Sequence, residues 1–585
     1  MTHAQELSKI FLEFSYRDAM LGIPFKPRAY ALASETMTGL GNDVENTWRK
    51  DGIKGLQSIP GIGESIAKKI DEYFLTGNIK AYTRMKKEFP VNIRELSQIE
   101  GLGPKHILDL YNHLHVQTRD DLKHALETQR VRTIPHWGEK SEEKLAKQLA
   151  LLENSTGRHL LGEMLPISDA MVAALSKIKG VRHCVVAGSI RRRQETIGDI
   201  DLIATTSDPE RVMDAFVRLP GVQTVHERGK TRSSVRLKIG IDADLRVVPD
   251  SVFGATLQYF TGDKRHNILL REYALSKGFT LNEYGLFHDI SLHQAGRLVV
   301  CKTEEEIYQK LGMDTPPPEL RVGGDEIDAA QKHRLPKLIP YGAVKGDLQV
   351  QTEWTDGSAS IEDMARAARA AGLTYIAITD HTKSLAFIHG LNDELLTKQI
   401  KEIERVNKQL RGFTIFSGTE CDIQKDGALD LSDASLAKLD WVGVSVHSHF
   451  HLSRADQTER IIKAISHPLV DCFFHPTCRL IGKREPIAFD LDEVLAVAKK
   501  YRVAMEIDCA PERSDLRDIH VREAVRAGVA LVIDTDAHAP EQFTFIPLGE
   551  AIARRGWAST MDVLITKTAK GLHAYLAKKR DRRQC

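Results

Sequence analysis

The segment 188–203 has the sequence GSIRRRQETIGDIDLI and decides how this chain is interpreted. Gly188 and Ser189 precede a cluster of arginines, and Asp199 and Asp201 then alternate along an apolar run. Alternate residues of a β-strand share a face, so the two carboxylates point to one place, where bound cations would offset their repulsion. The pattern indicates a two-metal site for phosphoryl transfer, with the Gly-Ser turn offering N–H and hydroxyl groups to phosphate oxygens.

A third carboxylate is expected from a neighbouring strand, which we place at 235–248. Asp242 and Asp244 share a face of that strand, so alternation does not choose between them. The sequence YFTGDKRHN follows at 259–267, with Arg271 close behind. Together these motifs resemble the family X DNA polymerases, the gap-filling repair enzymes typified by DNA polymerase beta. The third aspartate of that family precedes a hydrophobic-Arg-hydrophobic-hydrophobic-Pro run, which selects Asp244.

The resemblance implies roles for other residues. Asp199, Asp201 and Asp244 would bind two Mg²⁺ or Mn²⁺ ions. Arg271 would contact the template strand. The chain departs from the family at Asp242, where polymerase beta has a basic residue, and at Asp263, where a serine is usual. The residues implied to bind the incoming deoxynucleoside triphosphate are Arg158, Gly188, Ser189, Arg192, Tyr259, Phe260, Gly262 and Asn267.

The composition is that of a large enzyme without a membrane span or a disulfide framework. A chain of 585 residues predicts three or four domains. The 7 cysteines include no C-x-x-C pair, which indicates reduced thiols. We find neither a signal peptide nor a long apolar run, and expect a cytoplasmic monomer. Because the net charge is only +1, a surface that binds nucleic acid must be a local basic patch.

Two Gly-hydrophobic-Gly turns, at 61–63 and 101–103, each lead into a helical pattern. Such turns let the N–H groups of a helix N-terminus approach an anion closely. They resemble helix-hairpin-helix clamps on the DNA backbone, and the segment 134–140 resembles a degenerate third copy. The predicted DNA-binding glycines are Gly61, Gly63, Gly101 and Gly103.

Lys69 follows the first of these turns. The first hairpin resembles the amino-terminal lyase domain of polymerase beta, and the resemblance places Lys69 at the Schiff-base lysine of that domain. A lysine attacks a deoxyribose aldehyde only in its neutral form. Two interpretations stay open: a 5′-deoxyribose-phosphate lyase nucleophile, or a lysine on the surface or the DNA backbone.

The carboxyl-terminal part has a different pattern. Prolines at 316–318 introduce a predicted linker at 319–342. Beyond it, short apolar strands such as 375–378 and 441–444 alternate with amphipathic helices, which predicts a parallel α/β barrel. The ends of these strands carry a set of metal-ligand side chains suited to Mn²⁺ or Zn²⁺. The set comprises Asp356, His381, Glu420, His447, His475, Asp536 and His538.

This part resembles the PHP domain, which bacterial family X polymerases carry as a 3′-5′ exonuclease. The family opens with D-L-H-x-H-[ST], but the segment 347–352 reads DLQVQT, with Gln349 and Gln351 in place of both histidines. The resemblance leaves one metal of three with only Glu420 and Asp536. It groups the other ligands as Asp356, His381 and His475 for a second metal, and Glu420, His447 and His538 for a third. We expect an impaired exonuclease or phosphoesterase, because amides lack the basicity of imidazole.

The predicted fold is multidomain α+β and α/β, with helix-hairpin-helix domains, a nucleotidyltransferase palm with a thumb, and a PHP-type distorted α/β barrel. The predicted function is DNA-directed synthesis on gapped or primer-template DNA. Two alternatives stay open: a template-independent nucleotidyltransferase, and a DNA-clamping scaffold with a structural PHP domain. The predicted domains are 1–90 (lyase-like), 91–150 (second helix-hairpin-helix), 151–255 (palm), 256–318 (thumb), 319–342 (linker) and 343–585 (PHP).

Overall fold

The computed structural model describes residues 3–40, 43–59, 61–97, 99, 102–155, 157–288, 298–300, 302–385 and 390–584. The chain forms two compact units, one of residues 1–156 with 482–485 and one of residues 157–481 with 486–585. Within the described ranges, we find no helix with both the length and the apolar character needed to cross a membrane.

The first unit is helical. Gly61 adopts a φ of +83°, and Gly63 then forms the extended N-cap of α4. Glu13 is fully buried and accepts hydrogen bonds from Tyr82 (3.0 Å) and Lys86 (3.2 Å), which fixes α5 against α1. The helices are α1 His3–Met20, α2 Lys26–Leu40, α3 Asp43–Gln57, α4 Glu64–Thr76, α5 Lys80–Glu88, α6 Ile93–Leu96, α7 Pro104–Leu114, α8 Arg119–Glu127 and α9 Glu139–Ser155.

The third hairpin keeps the backbone of the first. The N–H of Trp137 donates to Ile134 O at 3.0 Å, as that of Ile62 donates to Ile59 O at 3.1 Å. His136 adopts a φ of +69°, although it stands where the first hairpin has a glycine. The degenerate copy predicted at 134–140 therefore has the geometry of a helix-hairpin-helix turn.

The palm is a five-stranded sheet in the order β2-β4-β7-β6-β5 with helices α10–α12. The single strand expected at 235–248 is wrong: the chain reverses at Gly240 (φ +86°) and forms the hairpin β6–β7, in which β7 pairs with β6 on one side and with β4 on the other. The elements are β1 His159–Leu160, α10 Leu161–Ser176, β2 Val181–Val186, α11 Gly188–Arg191, β3 Thr196–Ile197, β4 Asp199–Thr206, α12 Pro209–Val217, β5 Val222–Arg228, β6 Arg232–Leu237 and β7 Asp242–Val247.

The thumb follows the palm directly. The segment 319–342 differs from the expected linker, because Arg321 is buried against Glu304, and Glu326 is buried against His266 at 2.8 Å. These pairs hold the segment against the thumb. The elements are α13 Phe253–Thr261, α14 Lys264–Ser276, β8 Phe279–Asn282, β9 Gly285–His288, β10 Leu298–Val300, α15 Glu304–Lys310 and α16 Glu326–Gln331.

The remaining part is a seven-stranded parallel sheet in sequence order, β11 to β17. A parallel bridge between Val350 and Ala537 brings its two edges together, so the sheet is a nearly closed barrel, as predicted. Its elements are β11 Gly346–Val350, α17 Ile361–Ala370, β12 Tyr375–Ile378, α18 Asp393–Gln409, β13 Thr414–Asp422, α19 Asp433–Leu436, β14 Trp441–Ser445, α20 Arg454–Ile465, β15 Cys472–Phe473, α21 Leu491–Tyr501, β16 Ala504–Asp508, α22 Asp518–Ala527, β17 Leu531–Asp534, α23 Ile546–Arg555 and α24 Ala569–Gln584.

The barrel packs directly on the palm. Leu548 of α23 is buried within the palm's hydrophobic core. Arg479 forms an ion pair with Glu195 of the palm at 2.6 Å, and Arg555 donates to Arg193 O at 2.7 Å. Apolar burial and directional polar contacts therefore join the two domains.

Candidate active sites

Strands β4 and β7 position the palm carboxylates. The strands are parallel neighbours, with Asp199 opposite Asp242 and Asp201 opposite Asp244. Burial raises the pKa of Asp201 to about 7, with further contributions from Asp199 and Asp244. Burial and the Asp244 carboxylate also raise the pKa of Asp199. Such a concentration of negative charge fits divalent cations, which would stabilise all three ionised forms.

The two candidates on β7 have different surroundings. Asp242 is paired with Arg236 at 3.0 Å and lies 3.3 Å from His226 Nε2. The Oδ1 atom of Asp244 is buried and has no hydrogen-bond partner in the described part of the chain, while its Oδ2 atom lies 3.4 Å from Arg232. A buried carboxylate oxygen without a partner is costly unless a bound ion satisfies it.

The Gly-Ser turn lies against these carboxylates. Gly188 adopts a φ of +56°, and a Cβ atom there would collide with Asp201. Ser189 Oγ and Arg192 Nε are buried without a partner among the described residues. Two donors of this kind beside a metal-binding cluster fit an incoming anion such as a triphosphate. Arg158 lies at the same edge of the palm and donates to Thr196 Oγ1 at 2.9 Å.

Arg191 has a structural role that the sequence did not reveal. It forms a two-pronged ion pair with Glu304 at 2.6 and 2.8 Å and donates to Thr261 Oγ1 at 2.5 Å. Arg192 also donates to the end of α13, at Thr261 O, at 2.7 Å. The arginine cluster thus connects the palm turn to the thumb.

The end of α13 and the start of α14 hold the residues predicted to border the nucleotide. Tyr259 and Phe260 pack edge to face with ring centroids 5.2 Å apart. The Asn267 amide donates to Tyr259 O at 2.7 Å and to Gly262 O at 3.2 Å, so here it holds the turn. Asp263 accepts a hydrogen bond from the backbone of α14, which gives this departure from the family a capping role. Arg271 is exposed on α14.

Among the predicted DNA-binding glycines, Gly101 lies outside the described residues. Gly103 is the N-cap of α7, as Gly63 is of α4. Lys69 donates to Ser65 Oγ at 3.0 Å, and its ammonium group lies 5.6 Å from the centroid of the Tyr30 ring. Lys69 lines a surface pocket.

The barrel brings its histidines and carboxylates together in two clusters. In one, Asp356 Oδ2 lies 3.6 Å from His381 Nε2 and 3.6 Å from His538 Nε2. In the other, Glu420 Oε1 lies 3.2 Å from His447 Nε2 and 2.7 Å from His475 Nε2. The structure thus places His538 beside Asp356 and His475 beside Glu420, whereas the prediction grouped each of these histidines with the other carboxylate. His381 also lies 3.2 Å from Glu420 and so joins the two clusters.

The clusters alter the protonation of their histidines. Burial opposes protonation, but the Glu420 and Asp422 carboxylates raise the pKa of His447 to about 9. Burial is likewise outweighed at His538, whose pKa nearby carboxylates raise to about 10. Burial lowers the pKa of His475 to about 4. Metal binding requires neutral imidazole, so both clusters fit metal ions only with loss of protons.

The third expected metal position, between Gln349, Gln351, Glu420 and Asp536, differs from the two histidine clusters. The Gln351 amide donates to Glu420 Oε2 at 2.8 Å. The Gln349 amide, in the orientation that gives both of its polar atoms a partner, donates to the buried Glu506. Both amides present N–H groups to carboxylates, so this position does not fit a metal as the other two do.

Three nearby charged residues were not found from the sequence. Asp422 lies 3.2 Å from His447 Nδ1, and Arg513 Nε lies 3.4 Å from Asp508 and 3.7 Å from Asp536. Asp422 and Asp508 each follow a strand glutamate by two residues, which places both on the glutamate's face. That alternation was the available signal for the aspartates.

Family models match four parts of the chain. The DNA polymerase beta thumb matches residues 256–322 and the PHP domain matches residues 347–510. A helix-hairpin-helix domain matches residues 2–79, and a SAM-like helix-hairpin-helix tandem matches residues 93–150. These matches confirm the predicted thumb, barrel and hairpins.

Curated relatives extend over the same parts. "DNA polymerase/3′-5′ exonuclease PolX" of Bacillus subtilis (strain 168) is 35% identical over 555 residues, covering 94% of this chain and 95% of that protein. "DNA polymerase lambda" of Rattus norvegicus is 24% identical over 44% of this chain and 46% of its own length. A "Probable phosphatase" of Caldicellulosiruptor bescii is 29% identical over 31% of this chain and 73% of its own length. The near-complete match joins the palm, thumb and barrel in one known architecture, and the chain therefore belongs to the family X DNA polymerases that carry a carboxyl-terminal PHP domain.

Proposed function

We propose that this polymerase fills short gaps during base excision repair, acting as a cytoplasmic monomer on gapped or primer-template DNA with deoxynucleoside triphosphates. One observation carries the proposal. The carboxylates of Asp199, Asp201 and Asp244 converge beside two buried donors, Ser189 Oγ and Arg192 Nε, that lack partners among the described residues. Metal-ligand oxygens on one side and phosphate donors on the other suit nucleotidyl transfer.

Two Mg²⁺ or Mn²⁺ ions, when bound, would supply positive charge to the primer 3′-hydroxyl and to the departing pyrophosphate. The chain's own residues do the rest. Asp199, Asp201 and Asp244 would bind these ions through their carboxylates. Because the pKa of Asp201 is raised, its carboxyl group must be deprotonated before it can do so. Ser189 and Arg192 donate to phosphate oxygens and orient the triphosphate.

The segment 259–267, which joins α13 to α14, supports the nucleotide. Tyr259 and Phe260 border the sugar, and Arg246 lies over the Phe260 ring at 4.4 Å, which restricts its motion. Asn267 keeps the turn closed through two backbone carbonyls. Arg158 and Gly262 complete the nucleotide surface, and exposed Arg271 contacts the template.

For the barrel we propose weak 3′-5′ exonuclease or phosphoesterase activity with Mn²⁺ or Zn²⁺ at the two histidine clusters. The reason for the impairment is the amide pair Gln349 and Gln351, which donates to carboxylates where the family has two histidines. Metal-assisted hydrolysis depends on tightly held cations that lower the pKa of bound water.

For Lys69 we propose a 5′-deoxyribose-phosphate lyase role. The side chain is half-buried and anchored by Ser65 in a pocket that also includes Lys68, whose charge is paired with Glu64 at 2.6 Å. Schiff-base formation requires the neutral amine of a lysine.

The test is gap filling with each divalent metal, with primer degradation followed in the same lanes. We expect template-directed incorporation on a gapped duplex and none on an untemplated primer. Asp201→Asn should abolish incorporation, whereas Asp214→Asn, which removes an exposed partner of Arg228 elsewhere in the palm, should retain it. Equal extension without template would establish the template-independent alternative, and metal-dependent DNA binding without incorporation would establish the scaffold.

A further inference from the structure

The three hairpins of the first unit differ in the residue at the middle of the turn. The residue between the two turn positions is Ile62 in the first hairpin and Leu102 in the second, and both are only 3% exposed. The third hairpin has Trp137 there, and its larger ring is half-buried. The backbone hydrogen bonds of the turn are nevertheless kept: the N–H groups of Ser141 and Glu142 donate to the carbonyl of residue 138.

The exposed part of Trp137 lines a cavity of about 190 Å³. His106 lies against the ring edge to face, with centroids 5.1 Å apart, and Leu102 and Leu145 add apolar surface. Lys144 brings a positive charge to the same cavity. Acidic side chains are absent from the described residues that line it. The site thus combines an aromatic surface with positive charge.

We propose that this cavity binds one unpaired DNA base, stacked on Trp137, and so gives the protein a preference for single-stranded template next to a primer. The proposal rests on DNA binding by the hairpins, which is part of the proposed function. Bases stack on aromatic side chains without regard to sequence, and cationic neighbours attract the adjoining phosphate. The cavity is smaller than the roughly 300–1,000 Å³ of pockets for larger ligands, which suits a single planar ring system.

The neighbouring hairpins explain why a base is the better occupant than a phosphate. A phosphate clamp needs only the backbone N–H groups of a helix N-terminus, and Ile62 and Leu102 serve such turns while fully buried. A tryptophan adds nothing to that contact. Its π-face contributes only when a flat partner lies on it.

The experiment measures binding to three DNAs by fluorescence anisotropy at one salt concentration: a blunt duplex, a primer-template with a five-nucleotide template overhang, and the same overhang built from abasic nucleotides. We expect the intact chain to prefer the base-carrying overhang over the abasic one. Trp137→Leu, which restores the residue type of the other hairpins, should lose that preference by about tenfold, equivalent to about 1.4 kcal/mol. Trp137→Phe should retain most of it.

Lys105→Ala is the matched control, because this exposed lysine begins the second hairpin helix and offers charge without an aromatic ring. It should weaken binding to all three DNAs alike. Tryptophan fluorescence provides an independent measurement, since the base-carrying overhang should quench emission in the intact chain and quench it less in Trp137→Leu. Equal affinity of the intact chain for abasic and base-carrying overhangs would overturn the inference. Failure to bind any of the three DNAs would contradict the proposed function instead.

Discussion

Replacing Asp201 by asparagine should stabilise the metal-free protein while it abolishes incorporation. The pKa of Asp201 is raised from 3.8 to about 7, so the folded chain disfavours the ionised carboxyl. At pH 8 this penalty amounts to about 4 kcal/mol, taking 1.36 kcal/mol for each pKa unit. An asparagine carries no charge and avoids it.

The pH dependence of the free energy of unfolding tests this explanation. A carboxyl whose pKa is raised by folding lowers the free energy of unfolding progressively from about pH 4 to pH 7, because the unfolded chain is ionised there and the folded chain is not. The increase in the free energy of unfolding caused by Asp201→Asn should therefore be about 4 kcal/mol at pH 8 and below about 1 kcal/mol at pH 4.

The assay is thermal unfolding in EDTA across this pH range, followed by incorporation with Mg²⁺. Asp242→Asn is the control, because Asp242 is already paired with Arg236 and should gain nothing from neutralisation. A lower melting temperature for Asp201→Asn than for the intact chain in EDTA at pH 8 would refute the argument. Mg²⁺ should narrow the difference, since it stabilises only the intact carboxylate cluster.

Three other outcomes are expected. Asp244→Asn should lose incorporation by several orders of magnitude and Asp242→Asn should keep it in the same gap-filling assay; the reverse result would mean that the wrong residue of β7 was selected. Borohydride should trap the intact chain on a 5′-deoxyribose-phosphate substrate, and Lys69→Ala should not be trapped; no adduct with the intact chain would leave Lys69 a surface or DNA-contact lysine. Changing both Gln349 and Gln351 to histidine should raise metal content by elemental analysis and speed primer degradation; unchanged values would mean that the opening ligands are dispensable.

Local alternation was enough to predict part of the palm site. Asp199 and Asp201 share a face of β4, as a period of two requires. The choice of Asp244 over Asp242 needed the family resemblance, because both lie on the same face of β7. The structure adds a physical distinction that the sequence lacks, since Asp244 Oδ1 is buried without a hydrogen-bond partner among the described residues.

The remaining features depend on contacts between residues that are far apart in the sequence, and local patterns do not predict such contacts. Arg191 and Glu304 are 113 residues apart, and nothing local marks them as partners. The prolines at 316–318 indicated a break in helix, and the same signal fits both a free linker and the packed segment around Arg321. The grouping of His475 and His538 depends on loop paths, which strand periodicity does not encode.

The burial of Leu548 in the palm core gives the carboxyl-terminal barrel a role in the stability of the palm. A chain that ended before the barrel would expose apolar palm surface and leave Glu195 without Arg479. Even if the barrel hydrolysed nothing, natural selection for a folded palm would still preserve it. Replacement of metal-binding histidines, as at Gln349 and Gln351, is then compatible with retention of the whole domain.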